Sequence, residues 1–231
     1  MQIVNRSGGE TMQAEITLKD IQKSEEVKVL LQASALQMSS LGFTEHSFRH
    51  CRLVSNKCGE ILEAIGEDEH NVELGKIAGY IHDIGNAVNR TNHSMSGALL
   101  AYDMLLRKGM SYVDAAAVMM AIANHDEGQG ASVSKMAAAL ILSDKADVHR
   151  SRVTNRELAT FDIHDRVNYA ATTSTLIVEG KKAVLAIEID TAICPVMDYF
   201  EIFLFRMKMC RHAATYLGLT FELFINQTQL L

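Results

Sequence analysis

Ile81-His82-Asp83-Ile84-Gly85 closes an apolar run that contains Val72, Leu74, Ile77 and Ala78. An imidazole beside a carboxylate is costly to bury unless both find partners. Adjacent side chains on a helix diverge by about 100°, so this pair can serve one site only where the helix end faces a pocket. A carboxylate has two oxygens and can reach two partners at once. The other candidates for such a site are His50 upstream and His93, His125 and Asp144 downstream.

Hydrophobic periodicity places these residues on separate elements. There is a single proline, Pro195, so long helices are permitted nearly throughout. The spacing predicts a helix over 18–41 stopped by Gly42, and one over 44–65 on which His50, Val54 and Cys58 share a face. A third carries Val72 to Ile81 and then His82-Asp83, with Gly85 as its terminator. His93 opens a fourth, whose expected buried face is Met95, Ala98, Leu99, Tyr102, Leu105 and Leu106. Ser111 and Asp114 form a capping box for a helix that ends at His125. A further helix starting near Ser132 or Ser134 sets Asp144 on the otherwise apolar face of Met136 and Leu140.

Beyond Val153 the pattern changes. Residues 154–171 are mixed and polar. Residues 174–178 and 183–189 are rich in β-branched side chains and read as a hairpin turning at 179–182. Pro195 opens a helix to Leu217, and Leu219, Phe221, Leu223 and Ile225 alternate as a closing strand. The expected fold is mainly α: a helical bundle followed by a small C-terminal α+β (β-β-α-β) layer. Its divisions are an arm over 1–17, the bundle over 18–153 and a C-terminal subdomain over 154–231.

Composition narrows the classes. The 231 residues are 48% hydrophobic with a net charge of −6, against a general nucleic-acid-binding surface, which is normally basic. No stretch approaches the roughly 18 apolar residues a membrane span requires, and the N-terminal residues lack a leader's apolar segment. Cys51, Cys58, Cys194 and Cys210 form no C-x-x-C pair, and Cys51 and Cys58, on an apolar helical pattern, read as buried thiols of a reducing compartment. A cytoplasmic protein is expected. The helix after Pro195 is apolar nearly all round, through Val196, Met197, Phe200, Phe203 and Phe205, so it must be covered on more than one face. A homodimer is expected to supply part of that cover.

Nitrogen ligands combined with shared carboxylates suit iron, manganese, zinc or nickel rather than calcium. Coordination of two divalent metal ions explains all six candidates, His50, His82, Asp83, His93, His125 and Asp144, together. Paired ions acidify a bridging water and clamp a phosphoryl oxygen in line with it.

These residues resemble the ligand set of the HD superfamily of metal-dependent phosphohydrolases. Ala78-Gly79-Tyr80-Ile81-His82-Asp83-Ile84-Gly85 is similar to the family's central motif, and Asn92-His93-Ser94-Met95-Ser96-Gly97-Ala98 to its second-metal histidine segment. Asn124-His125-Asp126-Glu127 and Ser143-Asp144-Lys145-Ala146-Asp147 resemble its later segments. The resemblance spans about 45–152 and implies an all-helical bundle. It assigns one ion to His50, His82, Asp83 and Asp144, and a second to Asp83 as a bridge with His93 and His125. Two departures stand out. Asn86 occupies the place where many members carry lysine, and Asp126 the place of a second histidine in cyclic-dinucleotide phosphodiesterases. Dinucleoside-tetraphosphate hydrolases of the superfamily are a nearer likeness for the bundle.

The implied activity is hydrolysis of a phosphomonoester or phosphodiester, in a nucleotide or small phosphorylated metabolite, by attack of a metal-bridging hydroxide. Asp83 bridges, and Lys145 or Arg90 neutralises the leaving group. Arg49, Arg150 and Arg152 are candidate phosphate contacts, since guanidinium grips phosphate through parallel hydrogen bonds; the alternative is a solvated basic helix end. His46, one turn before His50, is the alternative first ligand. His164-Asp165 repeats the dipeptide without an apolar helix before it and reads as a decoy. Two other functions use a similar constellation: a di-iron oxygenase of the same superfamily, and a non-catalytic metal- or nucleotide-binding signalling module.

Overall fold

The computed structural model describes residues 16–43, 48–153, 155 and 161–231. The bundle runs α1 (Leu18–Lys23), α2 (Glu25–Ser40), α3 (Phe48–Ala64), α4 (Glu69–Ile81), α5 (His93–Arg107), α6 (Tyr112–Ala123) and α7 (Lys135–Lys145). After it come α8 (Ile163–Ala170), β1 (Ala171–Glu179), β2 (Lys182–Ile189), α9 (Val196–Tyr216), β3 (Thr220–Ile225) and β4 (Thr228–Gln229). The sheet order is β1-β2-β3-β4, with β1 antiparallel to β2 and β3 parallel to β2. The return through α9 is the crossover that a parallel pair requires. No described helix is long and apolar enough to cross a membrane.

Helix α7 is the axis of the molecule. Met136 through Lys145 are all buried, and α3, α4, α6 and α9 pack around them. Ala137, Ala138 and Ala139 keep its profile small enough for neighbours on several sides. Local chemistry starts the helices that surround it. Asp68 accepts from the Asn71 amide at 2.7 Å to cap α4, Ser111 from Asp114 at 3.1 Å to cap α6, and Ser134 from Ala137 at 3.1 Å to cap α7.

Several expectations require correction. The helix over 18–41 is two helices broken at Ser24, whose backbone is extended (φ −62°, ψ 123°) and whose hydroxyl accepts from Lys108 Nζ at 2.7 Å. Serine competes for hydrogen bonds in this way and favours boundaries over helix interiors. Met95 and Leu99 do not face the core: they are 48% and 67% exposed, and α5 buries Gly97, Ala98, Ala101, Met104 and Leu105 instead. The small residues lie inward because that face meets backbone. Helix α8 forms where a polar connection was expected, started by Asp162, which accepts from the Asp165 amide at 2.8 Å. The short β4 was likewise not anticipated. His46 and most of the arm over 1–17 lie outside the described residues.

Gly85 does not terminate α4. The helix ends at Ile81, and Gly85 sits inside a 3-10 turn, Ile84–Ala87. Its lack of a side chain matters because a Cβ there would lie 2.8 Å from Gly97 Cα and be driven into the His93 carbonyl. The turn carrying Asp83 is thereby pressed against the first turn of α5. Gly85→Ala is expected to cost roughly 2–3 kcal/mol through overpacking and to weaken metal uptake, because the clash spreads His93 from Asp83. Thermal denaturation with and without added manganese checks both; an unchanged midpoint would refute the close-approach reading.

Candidate metal centre

Every histidine of the cluster stands at or near a helix end. His50 lies in the first turn of α3, His82 follows the last residue of α4, His93 opens α5, and His125 follows α6 by two residues. Asp144 lies in the last turn of α7. Helix ends carry backbone groups with no partner inside the helix; His82 and His125 use such carbonyls, and His93 uses one in the loop before α5. His82 Nδ1 lies 2.8 Å from the Gly79 carbonyl, His125 Nδ1 2.6 Å from Ile122, and His93 Nδ1 3.1 Å from Arg90. Each bond reaches the carbonyl three residues back. A carbonyl can only accept, so Nδ1 donates in all three, and in the neutral ring the lone pair lies on Nε2.

The Nε2 atoms converge. His50 and His82 place theirs 3.3 Å apart, and His93 and His125 do the same at 3.3 Å. Asp83 lies between the pairs. Its Oδ1 is 3.4 Å from His93 Nε2 and 3.9 Å from His125 Nε2, while Oδ2 is 3.4 Å from His82 and 3.7 Å from His50. Asp144 Oδ1 adds contacts of 3.2 Å to His50 and 3.7 Å to His82. Each group is nine-tenths or more buried. Facing lone pairs repel, and buried acceptors without a cation are destabilising. The donor set therefore fits a divalent cation, and the possible ligand triads include His50-His82-Asp83 and Asp83-His93-His125.

The electrostatics agree with that fit. Burial, together with the His82 charge, pushes His125 down to about 3, and burial also lowers His93 despite Asp83. Both rings are neutral near pH 7. Burial opposes protonation of His82 too, but Asp83 and Asp144 outweigh it and hold His82 above 6.5. Asp144 stays ionised well below the usual carboxylate range, since Lys145, His50 and His82 overcome its burial.

Supporting groups surround the cluster, and several are not among the sequence candidates. Asp147 Oδ2 accepts from His50 Nδ1 at 2.7 Å, the carboxylate–histidine pairing that orients metal-binding imidazoles. Asn86 donates to Asp83 Oδ1 at 2.9 Å; where the resemblance registered a missing lysine, the structure has a buried amide that orients the shared carboxylate. Ser34 donates to the Asp83 carbonyl at 3.0 Å. Glu127 joins Arg206 of α9 at 2.6 Å and Lys145 at 3.7 Å. The spacing Asp144-x-x-Asp147 places both carboxylates near one end of α7 and was the available signal for Asp147. Nothing local marked the Glu127–Arg206 pair, which spans 79 residues.

The phosphate candidates divide differently than expected. Arg49 donates to Asp147 at 2.9 Å, and Arg152 to the Asp147 carbonyl at 2.9 Å, so both converge behind His50. Arg150 lies 5.4 Å from the Tyr169 ring centroid. Lys145 is buried against Asp144 Oδ2 at 2.7 Å. Arg90, with Nη1 3.2 Å from His93 Nε2, stands beside the cluster and lines the cavity next to it. His164 and Asp165 are not in the cluster, but they line the same cavity.

The HD domain family model matches residues 47–170. The chain belongs to the HD domain family. The matched span holds the cluster and continues past the bundle through α8. An uncharacterized protein of Methanocaldococcus jannaschii is 26% identical over 192 residues, 72% of this chain and 73% of that protein. The HD domain points to metal-dependent phosphohydrolases, and the clustered histidines and aspartates are compatible with divalent metal binding.

Two outcomes follow. Asp147→Asn should lower metal affinity by about 10–100-fold, the usual effect of losing a carboxylate behind a ligating histidine, with every ligand still present; titration with cobalt or manganese reads it, and unchanged affinity would remove Asp147 from the site. Metal uptake must also displace the His82 proton. His82 is held above its ordinary value, so affinity should rise with pH until His82 is neutral and then flatten, with proton release seen calorimetrically in buffers of differing ionisation heat. A pH-independent affinity would contradict the assignment.

Proposed function

We propose that this HD domain protein hydrolyses a phosphomonoester or phosphodiester bond in a nucleotide or small phosphorylated metabolite. The observation that carries the reading is the disposition of Asp83, with one oxygen toward each of two histidine pairs. His50, His82, Asp83 and Asp144 would hold one divalent ion, and Asp83, His93 and His125 a second, with iron, manganese, zinc and nickel all suited to such donors. Ions so held supply Lewis acidity and bring the pKa of water toward neutrality.

The chain's own groups do the rest. The Nδ1 bonds to Gly79, Ile122 and Arg90, and that of His50 to Asp147, keep every ring turned so that Nε2 faces inward. Asn86 holds Asp83. Lys145 balances Asp144 and Glu127, which suits electrostatic tuning better than contact with a leaving group. Arg90 lies at the cavity edge beside His93, where its guanidinium can bind phosphate oxygens and offset the charge on the leaving group. We also propose a homodimer, because α9 leaves Met197 73%, Leu204 55% and Phe205 52% exposed; sedimentation as a monomer across micromolar concentrations would remove that part.

The test is phosphate release from a panel of phosphomonoesters and phosphodiesters with manganese or iron present. Asp83→Ala should lose both ions by elemental analysis, keep its circular dichroism, and release phosphate at least about 10³-fold more slowly, as expected when a main electrostatic element is removed. Undiminished release in that variant would sink the proposal. Oxygen consumption by the iron form without phosphate release would favour oxygenase chemistry.

A further inference from the structure

A cavity of about 390 Å³ adjoins the cluster at Arg90 and Asp126. Asp126 Oδ1 lies 3.9 Å from His93 Nε2, so a group bound among the histidines would continue directly into this space. One wall comes from the bundle and the other from the C-terminal layer, through Asp162, Asp165 and Arg206. Its volume falls at the lower end of small-molecule sites.

The wall has an unusual charge for a phosphate enzyme. Among the described residues it carries four carboxylates, Asp126, Glu127, Asp162 and Asp165, against two guanidiniums. Arg206 is taken up by a carboxylate, and Arg90 stands at the cluster end of the cavity, where the first phosphate would bind. Arg206 is paired with Glu127 at 2.6 Å and lies 4.3 Å from the Phe203 ring centroid, and Arg90 faces His93 and lies 5.7 Å from Phe43. Asp165 is 8% exposed, so its charge is poorly screened by solvent. Carboxylates only accept hydrogen bonds. They suit a ligand end rich in hydroxyl donors, and Phe43 and Phe203 offer apolar surface to the carbon side of a ring. A second phosphate reaching Asp162 and Asp165 would meet like charge, since neither carboxylate has a lysine or arginine within ion-pair distance among the described residues, a repulsive element of the kind that sets specificity.

We propose that this cavity receives the non-phosphate end of the substrate, that it takes a sugar ring bearing a single phosphate, and that Asp162 and Asp165 of the C-terminal layer reject a polyphosphate chain. This rests on the proposed hydrolysis and narrows its substrate. The sugar can come from a free sugar phosphate or a nucleoside monophosphate.

The experiment compares ribose 5-phosphate, adenosine monophosphate, adenosine triphosphate and phenyl phosphate on the metal-loaded protein. At least one of the two sugar monophosphates should exceed both adenosine triphosphate and phenyl phosphate in kcat/KM by tenfold or more, and which one does so identifies the source. Asp162→Asn/Asp165→Asn should narrow the preference over the triphosphate at least threefold. Asp162→Asn alone, which keeps an α8 cap because asparagine caps as well as aspartate, should narrow it about twofold and stands in if the double variant does not fold. Calorimetric binding of non-hydrolysable phosphonate analogues of the mono- and triphosphate runs in parallel and needs no turnover. If no probe releases phosphate, hydrolysis fails while the binding preference still decides this proposal. Equal or tighter binding of the triphosphate analogue, or a preference unchanged in the variants, overturns it.

Discussion

The carboxylate of Asp83, wedged between two imidazole pairs, is the interaction on which the rest of the structure depends. Four rings and two carboxylates are packed into a region where nearly every neighbour is buried. Left to themselves, convergent lone pairs and negative oxygens would favour separation and solvation. The bundle overrides that preference with anchors on the far side of each ring. Backbone carbonyls hold His82, His93 and His125, and a carboxylate clamped by Arg49 and Arg152 holds His50. Such anchoring fixes ring orientation before any ion arrives, which reduces the ordering that binding must impose.

Close helix packing makes that convergence geometrically feasible. Gly79 lies against the Ser55 backbone and Gly85 against Gly97, so α4 and the turn after it approach both α3 and α5 without intervening side chains. The alanines of α7 do the same on the other side. The core thus brings main chain near main chain at the places where the short side chain of aspartate must reach.

The C-terminal layer is tied into this arrangement. Helix α9 packs on α7, and its Arg206 reaches Glu127, which faces Lys145, which in turn neutralises Asp144. A continuous chain of charges links the sheet-bearing layer to the histidine–aspartate cluster. The layer also walls the adjoining cavity, so the appended third of the chain shapes the space beside the cluster.

Much of this was legible in the sequence, and the reason is local. Helical periodicity, caps at Ser111 and Ser134 and left-handed stops at Gly42, Gly66, Gly109 and Gly218 are short-range effects, and they place His82, His93, His125 and Asp144 at element ends. The β-β-α-β order followed from alternation and from Pro195. What tertiary structure alone decided depends on which distant groups meet. Periodicity favoured Met95 and Leu99 as core because they are large, but the face of α5 that meets Gly85 had to be small. Arg49 and Arg152 read as phosphate contacts until Asp147 met them, and Glu127 acquired a role only when Arg206 arrived from the other layer. Hydrophobic pattern and capping specify where an element begins and which way it faces; charge pairing across tens of residues has no local signature, because its energy arises only after the chain has folded.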